Sequence, residues 1–324
     1  MRLRTAFPTL LAAALLASTQ LAPAVATDYP AKPVRIITQG AAGSGPDVIT
    51  RIVAEHLGRR WGQQVLILNH AGGGGVVAGR AASTAEADGY TLYVPTITTF
   101  VIMPEVQRTL PFDLERDFAK VGFVAETPMM IAVSPSLGVR SLPGLIALAN
   151  SRPGELFYAA NNRGSLPHLT AEMLRARTGA DLTFVPYQGA AAGLQDLIGG
   201  RIAMIVESVG ALSGPAEAGS ITPLAVASAG RLPNLPGLPT VAESVPGFVA
   251  MGWFVLLAPS KTPEPIVRKL NDDLNAVLAE PALRQKLQDL GAFVRMMSPS
   301  ETAEFIRNEQ RAWKPVVMQV GLTP

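Results

Sequence analysis

From Val34 onward, short apolar runs of strand length alternate with stretches whose apolar positions recur at helical spacing, the pattern of an α/β protein built on parallel sheet. The first unit reads as a strand Val34 to Thr38, a loop Gln39 to Gly45, and a helix from Pro46 that sets Val48, Ile49, Ile52, Val53 and Leu57 on one face. A second follows as strand Val65 to Leu68, loop Asn69 to Gly75 and helix Val76 to about Ala85, with Tyr90 to Val94 as a third strand. The rhythm returns in mid-chain. Strand Met130 to Val133 leads to helix Leu142 to Asn150, strand Leu156 to Ala160 to helix Leu169 to Arg177, and strand Leu182 to Val185 to helix Leu194 to Ile198, with Ile202 to Val206 as a further strand. Two sets of three such units favour two separate sheets over a single very wide one.

Residues Gly230 to Gly247 carry Pro233, Pro236, Pro239 and Pro246, a density that excludes both a helix and a central strand. A strand Gly252 to Ala258 follows, and two helical patterns close the chain: Pro265 to Leu290, broken at Pro281, and Pro299 to about Val320. The first set of units has few helices to cover its sheet, so the closing helices are expected to return to it. The chain then divides into lobe 1 at 27–125, lobe 2 at 126–248 and a second part of lobe 1 at 249–324. Two lobes joined by crossing strands form a hinged cleft suited to enclosing a small molecule.

Ahead of this pattern, Arg2 and Arg4, the apolar run Leu10 to Leu16 and the site Ala24-Val25-Ala26 read as a cleaved export signal over 1–26, with Thr27 as the mature N-terminus and a bacterial periplasm as the destination. Pro8, Gln20 and Pro23 interrupt the segment and argue against a membrane anchor. Without Arg2 and Arg4 the 27 basic residues fall to the number of the 25 acidic ones, and aromatic residues are only 6%. The basic footprint and stacking groups of a nucleic-acid binder are therefore missing. The absence of Cys removes disulfides, zinc-thiolate sites and Cys nucleophiles together.

Three loops share one construction, a strand end, small residues and a helix start: Gly40 to Asp47, Asn161 to Ser165, and Tyr187 to Gly193. A helix N-terminus presents unpaired N–H groups and about half a unit of positive charge, so small residues ahead of it make a place for a carboxylate or phosphate. In open α/β sheets ligands bind outside the carboxyl ends of the strands, where these loops fall. The candidate contacts are Ala42, Gly43, Ser44 and Gly45 in the first loop, Asn161, Arg163 and Ser165 in the second, and Tyr187, Gln188, Gly189, Ala190 and Ala191 in the third. Asp47 fits a capping box with Ser44 and reads as a loop-fixing residue, with contact to a ligand amine or amide as its other role. Arg163 reads as a solvated side chain or a counter-charge for a second carboxylate, Tyr187 as a packing group or a ligand donor, and Glu207 as a surface or interlobe group or a partner for a ligand amine.

Catalytic signals are absent. Ala42-Gly43-Ser44-Gly45-Pro46 misses the nucleophile-elbow pattern at both outer positions, His56, His70 and His168 are scattered, and Gly72 to Gly75 fits neither a dinucleotide nor a P-loop motif. The run reads as close helix–strand packing. A secreted hydrolase on a bilobal scaffold is the enzymatic alternative, and it would need a nucleophile or metal site that this reading does not find.

Taken in order, Tyr29-Pro30-Ala31-Lys32-Pro33-Val34, Asn69-His70-Ala71-Gly72-Gly73, Asp88-Gly89-Tyr90, Val185-Pro186-Tyr187-Gln188-Gly189, Leu194-Gln195-Asp196-Leu197-Ile198-Gly199-Gly200, Leu224 to Ser228 and Leu238-Pro239-Thr240-Val241-Ala242-Glu243 with Trp253 resemble the Bug-type solute receptors of tripartite tricarboxylate transporters. The resemblance implies a type II periplasmic binding-protein fold, two α/β lobes closing on a small carboxylate or related polar solute, without a cofactor or metal. It implies an acid group held by backbone amides and waters between the loops Ala42 to Asp47 and Tyr187 to Ala192. The implied partners are a small organic acid and a membrane permease, or a membrane sensor where the loaded receptor signals; a monomer is expected. Two places depart from the family pattern: the bulkier, cationic Asn161-Asn162-Arg163 loop, and Gln39-Gly40 where Pro-Phe is usual.

Overall fold

Burial of all but Arg35 along Val34–Thr38 (β1) fits a strand inside a sheet, between Val65–Asn69 (β2) and Thr91–Val94 (β3), both parallel to it. The structure is a computed structural model that describes residues 29–107, 109–187 and 189–322. The leader read over 1–26, its cleavage point and Gln188 lie outside the described residues. Helices Gly45–Trp61 (α1) and Val76–Ser83 (α2) follow β1 and β2, and a π turn at Thr98–Ile102 runs into the short helix Met103–Val106 (α3).

Phe118–Val133 (β4) is followed by Leu142–Ser151 (α4), Phe157–Ala160 (β5), Leu166–Thr178 (α5), Thr183–Pro186 (β6), Ala190–Ile198 (α6), Met204–Ser208 (β7), Val209–Glu217 (α7) and Thr222–Val226 (β8). Met251–Pro259 (β9), Glu264–Leu278 (α8), Pro281–Asp289 (α9) and Pro299–Gln319 (α10) complete the chain. The helix read through Leu290 does break at Pro281, and the proline-rich stretch holds only a single 3-10 turn at Val241–Glu243.

The fold is α/β with two lobes, yet the expectation of two separate sheets is corrected. One hydrogen-bonded path runs β2-β1-β3-β9-β4-β7-β5-β6, with β8 on β4. The first part of β4, Phe118 to Pro128, pairs with β9, and the remainder, Met129 to Val133, pairs with β7 and β8. A single strand of 16 residues is thus shared by both lobes. The sequence pattern finds only its end at Met130 to Val133. Lys120, Glu126 and Pro128 interrupt the apolar run of the earlier part. α7 and β8 also escape the pattern: α7 contains Gly210, Gly214 and Pro215, and β8 carries Pro223.

α8 and α9 return to pack on α1, and α8 also lies on β4. α10 touches α3, β4 and α5, so it reaches across both lobes. Pro315 sits inside α10, and Leu322, just past its end, faces Gly164 of the loop before α5.

The register of β4 against β9 shifts between Lys120 and Gly122, leaving the carbonyl of Val121 out of step with the ladder. Asn271 of α8 repairs this. Its buried Nδ2 donates to the Val121 carbonyl at 2.8 Å and to the Met297 carbonyl, just ahead of α10, at 2.8 Å. Asn271→Leu nearly keeps the volume but strands the Val121 carbonyl and leaves the Met297 carbonyl only its 3.2 Å bond from Asn275 Nδ2, and should cost about 1–3 kcal/mol of folding free energy in urea titration.

Candidate functional site

Both sets of parallel strands end at the crossing between the lobes. Thr96, just past β3, bridges Phe254 of β9, while Ser208 at the end of β7 pairs with Met129 of β4. Pro128 pairs with Met251 between these points. The loops that follow β1, β2 and β3 therefore approach the same gap as those that follow β5, β6 and β7.

In the first loop, Asp47 is 1% exposed and organises the turn. Its Oδ2 accepts the Gly43 N–H at 2.8 Å and Arg51 Nε at 2.9 Å, and its Oδ1 accepts Asn69 Nδ2 at 2.7 Å. Asn69 Nδ2 also donates to the Gly40 carbonyl at 2.8 Å, which ties the end of β2 to the loop. Burial by itself would raise the Asp47 pKa, but the hydrogen bonds from Arg51, Asn69 and Gly43 outweigh it and hold the carboxyl below its ordinary value. The loop-fixing role is thus built, but the capping box is not. Ser44 makes no side-chain cap bond; its hydroxyl is buried without a partner and turned toward Gly40.

Three amides of this loop are already committed, Gly40 to the Thr38 hydroxyl, Gly43 to Asp47 and Ser44 to the Ala41 carbonyl. Those of Gly45 and Asp47 have no partner among the described residues, and Ala42, Gly43 and Gly45 are exposed. A helix start with unfilled donors and no side chain in front of it remains.

α6 opens in a similar way. Gly189 is its N-cap at φ 97°, a backbone that favours glycine, with no side-chain cap, and the amides of Ala190 and Ala191 have no partner among the described residues. Tyr187 is not free to serve as a hydroxyl donor, since its OH donates to Asp196 Oδ2 of the same helix at 2.6 Å. Burial, then the Asp196 hydrogen bond, pushes its pKa up to about 12.

The third loop differs. Ser165 caps α5 by accepting the His168 N–H, and Gly164 N–H donates to His168 Nδ1 at 3.3 Å. This helix start is closed by its own side chains. Arg163 is exposed and in no ion pair among the described residues, while Asn161 Nδ2 donates to Glu207 Oε2 at 3.1 Å. His168 is buried against Phe184, with ring centroids 4.3 Å apart. Burial, with Arg163 and Arg175 adding to it against Glu172, lowers its pKa to about 4.

Gln39 is a positioning residue that the sequence marks only as a departure from a pattern. Its Nε2 donates to Thr96 Oγ1 at 2.8 Å, and its Oε1 accepts the Thr99 hydroxyl, which also reaches the Gly74 carbonyl at 3.1 Å. Gln39 thus joins the loops after β1 and β3, and Thr99 extends the tie to the loop after β2. Asn69 and Arg51 are further supports; their polar ends sit beside a helix start, but only the fold brings them to Asp47.

The family model described as Tripartite tricarboxylate transporter family receptor matches residues 49–322. Protein BugT of Bordetella pertussis (strain Tohama I) is 35% identical over 306 residues, covering 93% of each chain. The structure of an R. palustris protein with adipate matches at a TM-score of 0.86 and 36% identity, covering 92% of this chain and 100% of that one. MatC from Rhodopseudomonas palustris with bound malate matches at a TM-score of 0.80 and 28% identity, covering 89% of this chain and 100% of that one.

His168 sets a pH dependence that can be isolated. The unfolded chain takes up a proton near pH 6.5, whereas the folded one does so only near 4. Its contribution is complete above about pH 6.5 and is lost as pH falls toward 4, at up to ~1.4 kcal/mol per unit. His168→Phe, which retains a ring against Phe184, should flatten the stability difference between pH 7 and pH 4 by about 2–3 kcal/mol in denaturant titrations.

Proposed function

This chain belongs to the tripartite tricarboxylate transporter receptor family, and from that premise we propose that its cleft takes a small carboxylate at the open starts of α1 and α6. It is a solute-binding receptor, not an enzyme. The observation that carries the ligand class is the contrast among three helices whose loops share one construction. α5 is capped by a serine, Ser165. α1 and α6, beside the crossing, have no side-chain cap and keep N–H groups without a partner among the described residues, behind small residues. An acid group there receives preorganised hydrogen bonds and the favourable end of a helix dipole without a counter-charged side chain.

In this reading the lobes, with boundaries near 126 and 249, are the moving bodies, and β4 and the approach to β9 are the hinge. The empty protein favours an open arrangement. A ligand seated on α1 gains further contacts from α6 on closure and shifts the population toward the closed form. The candidate contacts Ala42, Gly43, Ser44, Gly45, Asn161, Arg163, Ser165, Tyr187, Gln188, Gly189, Ala190 and Ala191 then divide by role. Gly45, Ala190 and Ala191 offer amides, and Asp47 holds the first loop from behind. Adipate and malate, held by the two R. palustris proteins, support a carboxylate as the class. We place the receptor in the periplasm, exported through residues 1–26, working as a monomer with a membrane permease.

Gly43 and Gly189 both have positive φ, so a branched residue there would strain the backbone as well as fill the cleft. Gly45 and Ala191 give cleaner tests. A Cβ at Gly45 meets nothing within 4 Å, and Ala191 is an exposed helical residue. In isothermal titration with adipate, malate and a neutral sugar, the acids should give heat and the sugar none. Gly45→Leu and Ala191→Leu should each weaken acid binding at least tenfold with the melting temperature little changed. Sugar binding, or full acid affinity in both variants, would overturn the assignment.

A further inference from the structure

Glu207 is a carboxyl group that the carboxylate-binding reading leaves unused. It is 8% exposed, at the next-to-last position of β7, and its cross-strand partner is Met130 beside the lobe crossing. Ala159 of β5 pairs with both Val185 of β6 and Ile205 of β7. Side chains two residues further along share the same face, so Tyr187, Asn161 and Glu207 form a row across the three strand ends. The Asn161 to Glu207 hydrogen bond closes one step of that row.

This is the face that α6 covers. A Cβ at Gly193 would lie 3.0 Å from Ala159 Cβ and 3.5 Å from both Ile205 Cδ1 and Tyr187 Cδ2. A helix that follows a strand in a parallel unit runs back along it, so the start of α6 lies over the strand ends and over this row. Free N–H donors and a buried carboxyl therefore occupy neighbouring places.

The partners of Glu207 are neutral. Oε2 accepts Asn161 Nδ2 and Oε1 accepts the Ser208 N–H, each at 3.1 Å, and it forms no ion pair among the described residues. Both bonds fix the carboxyl as an acceptor, and buried charges in proteins are ordinarily matched by an opposite one. We propose that Glu207, oriented by Asn161, is the acceptor for a protonated amine carried by the ligand beside its acid group, so that the receptor takes an amino acid in preference to the matching hydroxy acid or plain diacid. This rests on the carboxylate reading of the cleft and adds the second functional group of the ligand. Burial raises the Glu207 pKa in the empty protein, in keeping with a carboxyl that lacks its counter-charge.

The test compares aspartate with malate, and 2-aminoadipate with adipate, by isothermal titration of the full mature chain and of Glu207→Gln. The wild type should bind at least one amino acid ten or more times tighter than its partner. Glu207→Gln should lose at least tenfold for that amino acid while the partner acid changes less than about threefold. Asn161→Ser, which releases the carboxyl without removing it, should lower the same preference by a smaller factor, and it serves as the readout if Glu207→Gln does not fold. Equal or tighter binding of the plain acids, unchanged in the variants, overturns this inference alone. No heat from any of the four acids overturns the carboxylate reading, and this inference with it.

Discussion

Sixteen residues of β4 run through both lobes of one sheet, and neither half of that sheet can twist freely while it shares the strand. The pairing is interrupted locally. The register against β9 shifts twice, and that against β8 once. Each shift releases backbone groups that must find partners elsewhere, and Asn271 is the recruit for one of them. The shared strand also brings the carboxyl ends of two independent sets of parallel strands to one crossing, the place proposed for the ligand.

At that crossing some donors have no partner among the described residues and others are satisfied. Serine closes α5, although its loop has the same construction as those ahead of α1 and α6. In front of α1 the potential cap is buried and unpaired, and the Asp47 carboxylate is spent behind the loop, on Gly43, Arg51 and Asn69. The negative side chain nearest the donors thereby stiffens the turn without occupying the place of a guest. This is how a chain with little net charge can present an electropositive patch made of backbone alone.

Much of this arrangement is legible in the residues. Strand–loop–helix periodicity locates β1 to β3, β5, β6 and their helices, because each has an apolar run or an apolar face that only one period fits. Small residues ahead of Pro46 mark the start of α1; those of Ala190 to Gly193 read as loop ahead of a helix at Leu194, whereas the helix already takes them in. The length of β4 is hidden because charged and proline positions in a shared strand break the alternation that a one-faced strand would show. The Asp47 network and the row through Glu207 are hidden for a different reason: their members are 22 and 46 residues apart in sequence and meet only through sheet register. A capping box was the simplest local reading of Ser44 and Asp47, and the nonlocal Asn69 prevailed over it.

α10 lies along both lobes, and Pro315 interrupts it one turn before its end. Proline has no N–H to offer the carbonyl of Arg311, so the terminal turn is fastened to the rest of the rod by one rung fewer. That turn leads directly to Leu322 beside Gly164. A beam laid over a moving joint would ordinarily oppose it; one with a compliant tip can follow the far side while its shaft stays anchored to the near one.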